Sequence, residues 1–282
     1  MIEIKNVTKI YPGQKSPALS GLNLTIADGE FFGLLGPNGA GKTTTIKLLA
    51  TLLIPNEGEI VVDGKKLERS SLDVKRKLSM ITQEYSLRSN MTAEQIMELH
   101  GRLYQLPKDL IRSRTEELLN FCGLGDHKKK ICRQLSGGMK RKLMLCRGLL
   151  TAPEILILDE PTVGLDPFAR RQMWDLLKKL NEQGMTILLT THYIDEAQYL
   201  CKRIALIDKG KTQRVENPST LISELGATAV DEFDGTHTKS RVFSSREEAL
   251  AFAGTLSNDF VIRSTTLEDV FVTLIGRNLE VK

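Results

Sequence analysis

Apolar and polar side chains alternate at the start of the chain. Ile2, Ile4 and Val7 do so with polar neighbours, and Leu22, Leu24 and Ile26 repeat the pattern beyond the turn-forming Pro12, Gly13, Ser16 and Pro17, which predicts two strands of an antiparallel flap. The segments Phe31–Leu35, Ile155–Leu158 and Thr186–Thr191 are instead almost unbroken apolar runs, as expected of parallel strands buried on both faces. Glu59–Asp63 and Leu78–Gln83 add further strands. From Asn90 the period becomes helical. Ile96, Leu99, Leu103 and Leu106 recur until Pro107, with Thr92 and Gln95 as a capping box, and a second helix runs from about Lys108 to Phe121 with Gly123 closing it. Met139–Leu150 reads as a third helix behind an N-cap candidate, Ser136. Helices at 168–181 and 194–200 alternate with the later strands, and 204–207 pairs with a strand from Thr212 onward.

The fold class these elements predict is α/β: a core with a mostly parallel sheet, an antiparallel β flap, and a helical subdomain inserted at about 86–151. Asn217 and Pro218 mark a boundary. The first domain is therefore 1–216, and 217–282 is a small α+β extension with strands at 228–233, 241–243 and 260–262 and a helix at 247–256. A last helix starts at Thr266 and Asp269 and carries Leu267, Val270, Phe271, Leu274 and Ile275 on one face.

Composition changes this picture little. With 282 residues, 41% of them hydrophobic, the chain suits one large or two ordinary domains. No apolar run approaches the roughly 18 to 20 residues that span a bilayer, and Met1–Asn6 lacks the apolar centre of a signal peptide, so a cytosolic location is expected. The net charge of +4 is too mild to require nucleic acid, and the basic triplets Lys75-Arg76-Lys77, Lys128-Lys129-Lys130 and Lys140-Arg141-Lys142 read as solvated faces. Cys122, Cys132, Cys146 and Cys201 form no metal-binding spacing and read as reduced thiols.

The chemistry concentrates between the strand Phe31–Leu35 and the helix after it. Gly36, Pro37, Asn38, Gly39, Ala40, Gly41, Lys42 and Thr43 match G-x-x-x-x-G-K-[ST] in the strand-loop-helix context of a phosphate loop. The glycines allow backbone turns that aim successive N–H groups at an anion, and a helix N-terminus adds about half a positive charge. Lys42 brings a point charge to the outer phosphates and the Thr43 hydroxyl is placed to ligate Mg²⁺. Asp159 and Glu160 end a buried strand. There an Asp can hold Mg²⁺ and a neighbouring Glu can orient water, although paired acids at such a point also cap helices. Gln83 and His192 end other strands of the sheet. Tyr11 stands either where a ring could stack on adenine or as a partly buried strand-end tyrosine.

At Leu135, Ser136, Gly137, Gly138 and Met139 the accumulated residues resemble the ATP-binding subunit of an ABC transporter over about residues 1 to 216. The order Tyr11, phosphate loop, Gln83, signature, Asp159-Glu160, Leu165-Asp166, His192 carries the resemblance. It implies a P-loop ATPase that pairs head to tail with a second copy. ATP then lies between one phosphate loop, with Thr44, and the partner's Ser136, Gly137 and Gly138. It further implies that Lys42 neutralises phosphate, that Thr43, Asp159 and Gln83 serve Mg²⁺, and that Gln83 senses the γ-phosphate and meets the membrane partner. Glu160 activates water, His192 holds the γ-phosphate and Asp166 signals across the dimer. Met139 stands where Gln is commonest. Thr265–Arg277 resembles the tail of subunits serving drug and polysaccharide exporters.

The resemblance thus implies an ATPase on the cytoplasmic face of the membrane, driving export through separate transmembrane permease subunits, with ATP and Mg²⁺ as cofactors and no nucleic-acid partner. A short helix of the permease is expected against Gln83–Met91 and Leu103-Tyr104. The competing function is a non-transport ABC-type ATPase acting on nucleic acid or ribosomes. Such relatives need long coiled coils, zinc pairs or fused heads, and the span from Gln83 to Leu135 has room only for a few short helices.

Overall fold

The computed structural model describes residues 1–275 and 280–281. The side chain of Ile275 lies outside the described part, as do Gly276 and Arg277 of the predicted tail motif. Strands β1 (Ile2–Lys9) and β2 (Leu19–Ile26) pair antiparallel, and β3 (Phe31–Leu35) leads to helix α1 (Lys42–Leu49). β4 (Glu57–Val62), β5 (Lys65–Lys66), α2 (Leu72–Arg76) and β6 (Leu78–Ile81) follow. The helical insertion comprises α3 (Ala93–Leu103), α4 (Lys108–Phe121) and α5 (Gly137–Leu149). The chain then alternates through β7 (Ile155–Asp159), α6 (Pro167–Glu182), β8 (Thr186–Thr191) and α7 (Ile194–Leu200), and closes the core with β9 (Arg203–Asp208) and β10 (Lys211–Glu216). Last come α8 (Pro218–Leu225), β11 (Thr228–Phe233), β12 (Thr238–Phe243), α9 (Arg246–Ala253), β13 (Phe260–Ser264), α10 (Leu267–Ile275) and β14 (Glu280–Val281).

The central sheet has the order β10-β9-β3-β8-β7-β6 and is parallel except for β10. The flap is an antiparallel sheet of order β2-β1-β4-β5, and the extension carries a third, of order β13-β11-β12-β14. The apolar runs explain the layering. Successive residues of a strand point to opposite faces. On β3, Phe32 and Leu34 enter the core shared with the flap and α1, while Phe31 and Leu35 enter the core shared with α3, α5, α6 and α7. Neither face of β3, β7 or β8 reaches water, which is why the sequence there shows no alternation.

Where boundaries differ from expectation, local chemistry gives the reason. The Ser136 hydroxyl accepts from the Met139 amide, so α5 starts at Gly137 and both glycines are helical rather than loop. Asn217 is the N-cap of α8 and Pro218 its first residue, an arrangement a proline favours; the boundary signal opens a helix. β12 begins at Thr238, ahead of the predicted 241, because its first residues are polar and exposed and carry no apolar period.

Candidate functional site

Residue register sets the geometry. Leu35 of β3 lies opposite Thr191 of β8 and Leu206 of β9, Asp159 of β7 lies opposite Thr190, and Ile81 of β6 lies opposite Leu158. The phosphate loop, His192, the pair Asp159-Glu160 and the segment holding Gln83 therefore all leave the same edge of four adjacent strands. In open α/β sheets, the carboxyl ends of the strands form the ligand crevice.

The loop is shaped by two glycines. A Cβ on Gly36 would stand 2.3 Å from the Ile207 carbonyl oxygen, and Gly41 has φ +111° with Leu19 Cδ2 2.6 Å from where its Cβ would be. Helix α1 starts behind Gly41 with no side-chain cap and no acid in its first turn, so its leading N–H groups have no side-chain acceptor and point out of the helix end. Lys42 is only 6% exposed and donates from Nζ to the carbonyls of Gly36 (2.7 Å) and Pro37 (3.1 Å). Burial pushes its pKa down, and the charges of Glu160 and Asp159 oppose that shift. Ala40 is buried, Asn38 and Gly39 are exposed, and Thr43 presents its hydroxyl from the exposed side of the first turn. Thr44 is buried, with its hydroxyl 3.2 Å from that of Tyr11, which stands half-buried two residues beyond β1.

Asp159 Oδ1 accepts from the Thr190 hydroxyl at 2.6 Å, and the Glu160 amide donates to the Thr190 carbonyl at 3.0 Å. Glu160 has φ +49°, a left-handed backbone at a residue with a side chain; such positions persist where the surroundings over-determine them and concentrate at functional sites. Its Oε1 lies 3.1 Å from His192 Nδ1. Neither acid caps a helix. That role falls to Asp166, which accepts from the Ala169 amide at the start of α6. Gln83 is exposed and lies two residues beyond β6, whose last residue is Ile81, so it leaves the strand rather than ending it.

The signature lies apart from this crevice. Gly137 meets Tyr85, whose hydroxyl donates to the Gly137 carbonyl at 3.3 Å, and an added Cβ on Gly138 would stand 3.0 Å from Ala169 Cβ. Among the described residues no hydrogen bond joins 135–139 to the phosphate loop. Met139 packs against the main core, which accounts for an apolar side chain in that position.

Three residues around the site carried no chemical signal in the sequence. Arg141, expected on a solvated face, is 2% exposed and donates from Nη1 to the Thr82 carbonyl at 2.9 Å, with its guanidinium over the Tyr85 ring. Its spacing of four from Leu145 was the available clue. Thr162 and Glu196 are both fully buried, and the hydroxyl donates to Glu196 Oε1 at 2.8 Å. Burial pushes the Glu196 carboxyl above the ordinary range, against the hydrogen bonds it accepts from Thr162 and Trp174.

An amide nest, a buried ammonium and two strand-end carboxylates on a parallel sheet define a nucleotide-hydrolysing ATPase of the P-loop class. The family model described as "ABC transporter" matches residues 19–163. The daunorubicin resistance ATP-binding protein of Streptomyces coeruleorubidus is 37% identical over 310 aligned positions that cover 100% of this chain and 98% of that protein. The Nod factor export ATP-binding protein I of Rhizobium meliloti (strain 1021) is 36% identical over 300, covering 99% and 89%. Among solved structures, a dimeric ATP-binding cassette in a post-hydrolysis state bound to ADP and Pi has a TM-score of 0.69 at 33% identity, covering 77% of this chain and 98% of that one. A component of an ABC transporter complex from Clostridium perfringens has a TM-score of 0.73 at 29% identity, covering 79% and 90%. The chain belongs to the ABC transporter family, as an ATP-binding subunit that hydrolyses ATP.

Proposed function

We propose that this subunit powers export: two copies close head to tail on ATP, hydrolysis reopens them, and the motion is passed to separate membrane subunits at the cytoplasmic face. Within each site the Gly36–Thr44 amides and Lys42 hold the triphosphate, Tyr11 faces the base, and the second copy contributes Ser136, Gly137 and Gly138, with Asp166 at the seam. The donor set fits a metal-bound nucleotide, because Thr43 offers an exposed hydroxyl and Asp159 has one oxygen engaged by Thr190 and a second available. Thr43 and Asp159, with Gln83, would hold Mg²⁺, which when bound neutralises phosphate charge and orients the leaving oxygens. Glu160 takes the proton of the attacking water and His192 holds the γ-phosphate.

The observation that carries this reading is the 3.1 Å pairing of Glu160 with His192 beside the phosphate loop, on a left-handed backbone. Glu160→Gln is expected to retain ATP binding, to trap a dimer with MgATP and to lower turnover roughly 10² to 10⁴-fold, the range for a positioned general base. Undiminished hydrolysis would refute it. Export is supported by the relatives, which are a daunorubicin resistance and a Nod factor export ATP-binding protein. A groove of 730 Å³ between the core and the helical insertion, lined by Leu52, Met80, His100, Tyr104 and Arg147, suits a short helix of the permease. It overlaps the expected surface at Tyr104 and extends it toward α1, and no phosphate-loop residue lines it. The burial of Arg141 also takes one cation of the Lys140-Arg141-Lys142 triplet off the surface that a nucleic-acid partner would use.

A further inference from the structure

We infer that Glu196 is a positioning residue for hydrolysis, locking the loop that carries Glu160 to the loop that carries His192 through the hydroxyl of Thr162. This rests on the proposed roles of Glu160 and His192. The geometry is a closed circuit. Glu160 connects through Pro161 to Thr162, whose hydroxyl donates to Glu196 Oε1 at 2.8 Å. Glu196 connects back through the first turn of α7 to Tyr193 and His192, and His192 Nδ1 lies 3.1 Å from Glu160 Oε1. Thr162 and Glu196 are fully buried, so water does not compete for the bond that closes the ring.

The same Glu196 oxygen accepts a second bond, from Trp174 Nε1 at 2.9 Å. Trp174 lies on α6, the helix that Asp166 caps. One carboxylate oxygen therefore joins three parts of the molecule: the connection after Glu160, the helix beyond it, and the helix beyond His192. The other oxygen, Oε2, is buried without a hydrogen-bond partner, and so are the Nε atoms of Arg141 and Arg170. A carboxylate is costly to bury in this way. Its location is accounted for by what it holds, since a left-handed backbone at Glu160 requires neighbours that fix it. Arg141 brings the signature helix within reach of the same charge, whose attraction opposes the loss of the guanidinium's proton on burial.

The circuit makes a kinetic prediction that simple packing does not. Removing the Thr162 hydroxyl leaves the phosphate loop alone but frees Glu160 to move, and a misplacement on the order of 1 Å costs up to about 10²-fold in rate. In steady-state hydrolysis by the purified full chain, Thr162→Val is expected to lower kcat by about tenfold or more while KM for MgATP stays within about twofold, the pattern of an interaction realised in the transition state. Thr162→Ser restores the hydroxyl and most of the turnover. Trp174→Phe removes the second donor together with part of the ring that stacks on Tyr199, and is expected to lower kcat in the same direction, which keeps the test available if Thr162→Val does not fold.

The deciding comparison uses Glu160→Gln as background. If Thr162 acts through Glu160, Thr162→Val (or Trp174→Phe) lowers the residual turnover of Glu160→Gln no further. Loss by the same factor in both backgrounds would overturn the inference, as would parental turnover in Thr162→Val beside an impaired Glu160→Gln. Undiminished turnover in Glu160→Gln itself strikes the underlying assignment of the base instead.

Discussion

His100 shows how burial without a partner acts on one residue. Its ring lies 4.8 Å from that of Tyr104, and burial, with the charge of Arg147 added, pushes its pKa down to about 4. In an unfolded chain the same imidazole binds its proton near about 6.5. Between these values the unfolded state holds more protons than the folded one, so stability rises with pH across the interval. It is complete above the unfolded value and is lost on acidification toward the folded one. Thermal unfolding from pH 7 down to pH 5 should show a falling midpoint, and His100→Gln should flatten that slope, a range in which most carboxylates are still ionised. An unchanged slope in the variant would show that the protonation of other groups sets the acid limit. The residue also lines the groove proposed for the permease, so a docked helix that excludes more water should hold it neutral still more firmly.

Elements differ in how much of their cause is local. Thr92 caps α3, accepting from the Gln95 amide at 3.2 Å while the Gln95 side chain accepts from the Thr92 amide at 2.9 Å, the reciprocal pair that the sequence predicted. Thr92→Ala should cost about 1 kcal/mol in urea unfolding, the usual loss for such a cap, with ATP turnover unchanged because α3 carries no group of the site. The parallel strands were legible for a similar reason, since burial on both faces leaves an uninterrupted apolar run. α2 was not legible: five residues long, it buries only Val74 and so has no period to detect. The site divides the same way. Of the residues proposed for the site, the phosphate loop, Ser136, Asp159 and Glu160 stand in contiguous motifs, and His192 is singled out by its strand-end position and the order of the resemblance. Arg141 and Glu196 could not be named, because their meaning depends on distant partners. A basic triplet on a helix reads as solvated, and an acid in the first turn of α7 reads as an ordinary favourable charge at a helix start. Only the tertiary contacts of Thr82, Thr162 and Trp174 turn these two into buried, specifically bonded groups.

At the scale of the whole molecule, the proposed division at Asn217 separates chemistry more cleanly than it separates packing. The sheet β11 to β13 and α9 keep a small core of their own around Val230, Ala249 and Ala253. Leu221 of α8 and Leu267 and Val270 of α10 instead belong to the main core, and the Leu267 amide donates to Gln198 Oε1 on α7 at 3.3 Å. Arg263 of β13 bridges Asp231 of β11 and Asp269 of α10, tying the small sheet to the helix that enters the main core. The extension is thus fastened to α7, the helix that follows His192 and carries Glu196. The two units should unfold together. Leu267 is fully buried, so Leu267→Ala should cost about 2 to 5 kcal/mol through lost transfer energy and the cavity left behind. Trp174, the one tryptophan of the chain, lies on α6 in the ATPase core and reports that unit alone. Its fluorescence midpoint in urea should shift with Leu267→Ala as far as the far-ultraviolet circular dichroism midpoint does. A tryptophan midpoint left in place while the dichroism shifts would mean that the extension melts on its own, and that α10 rests on the core without contributing to its stability.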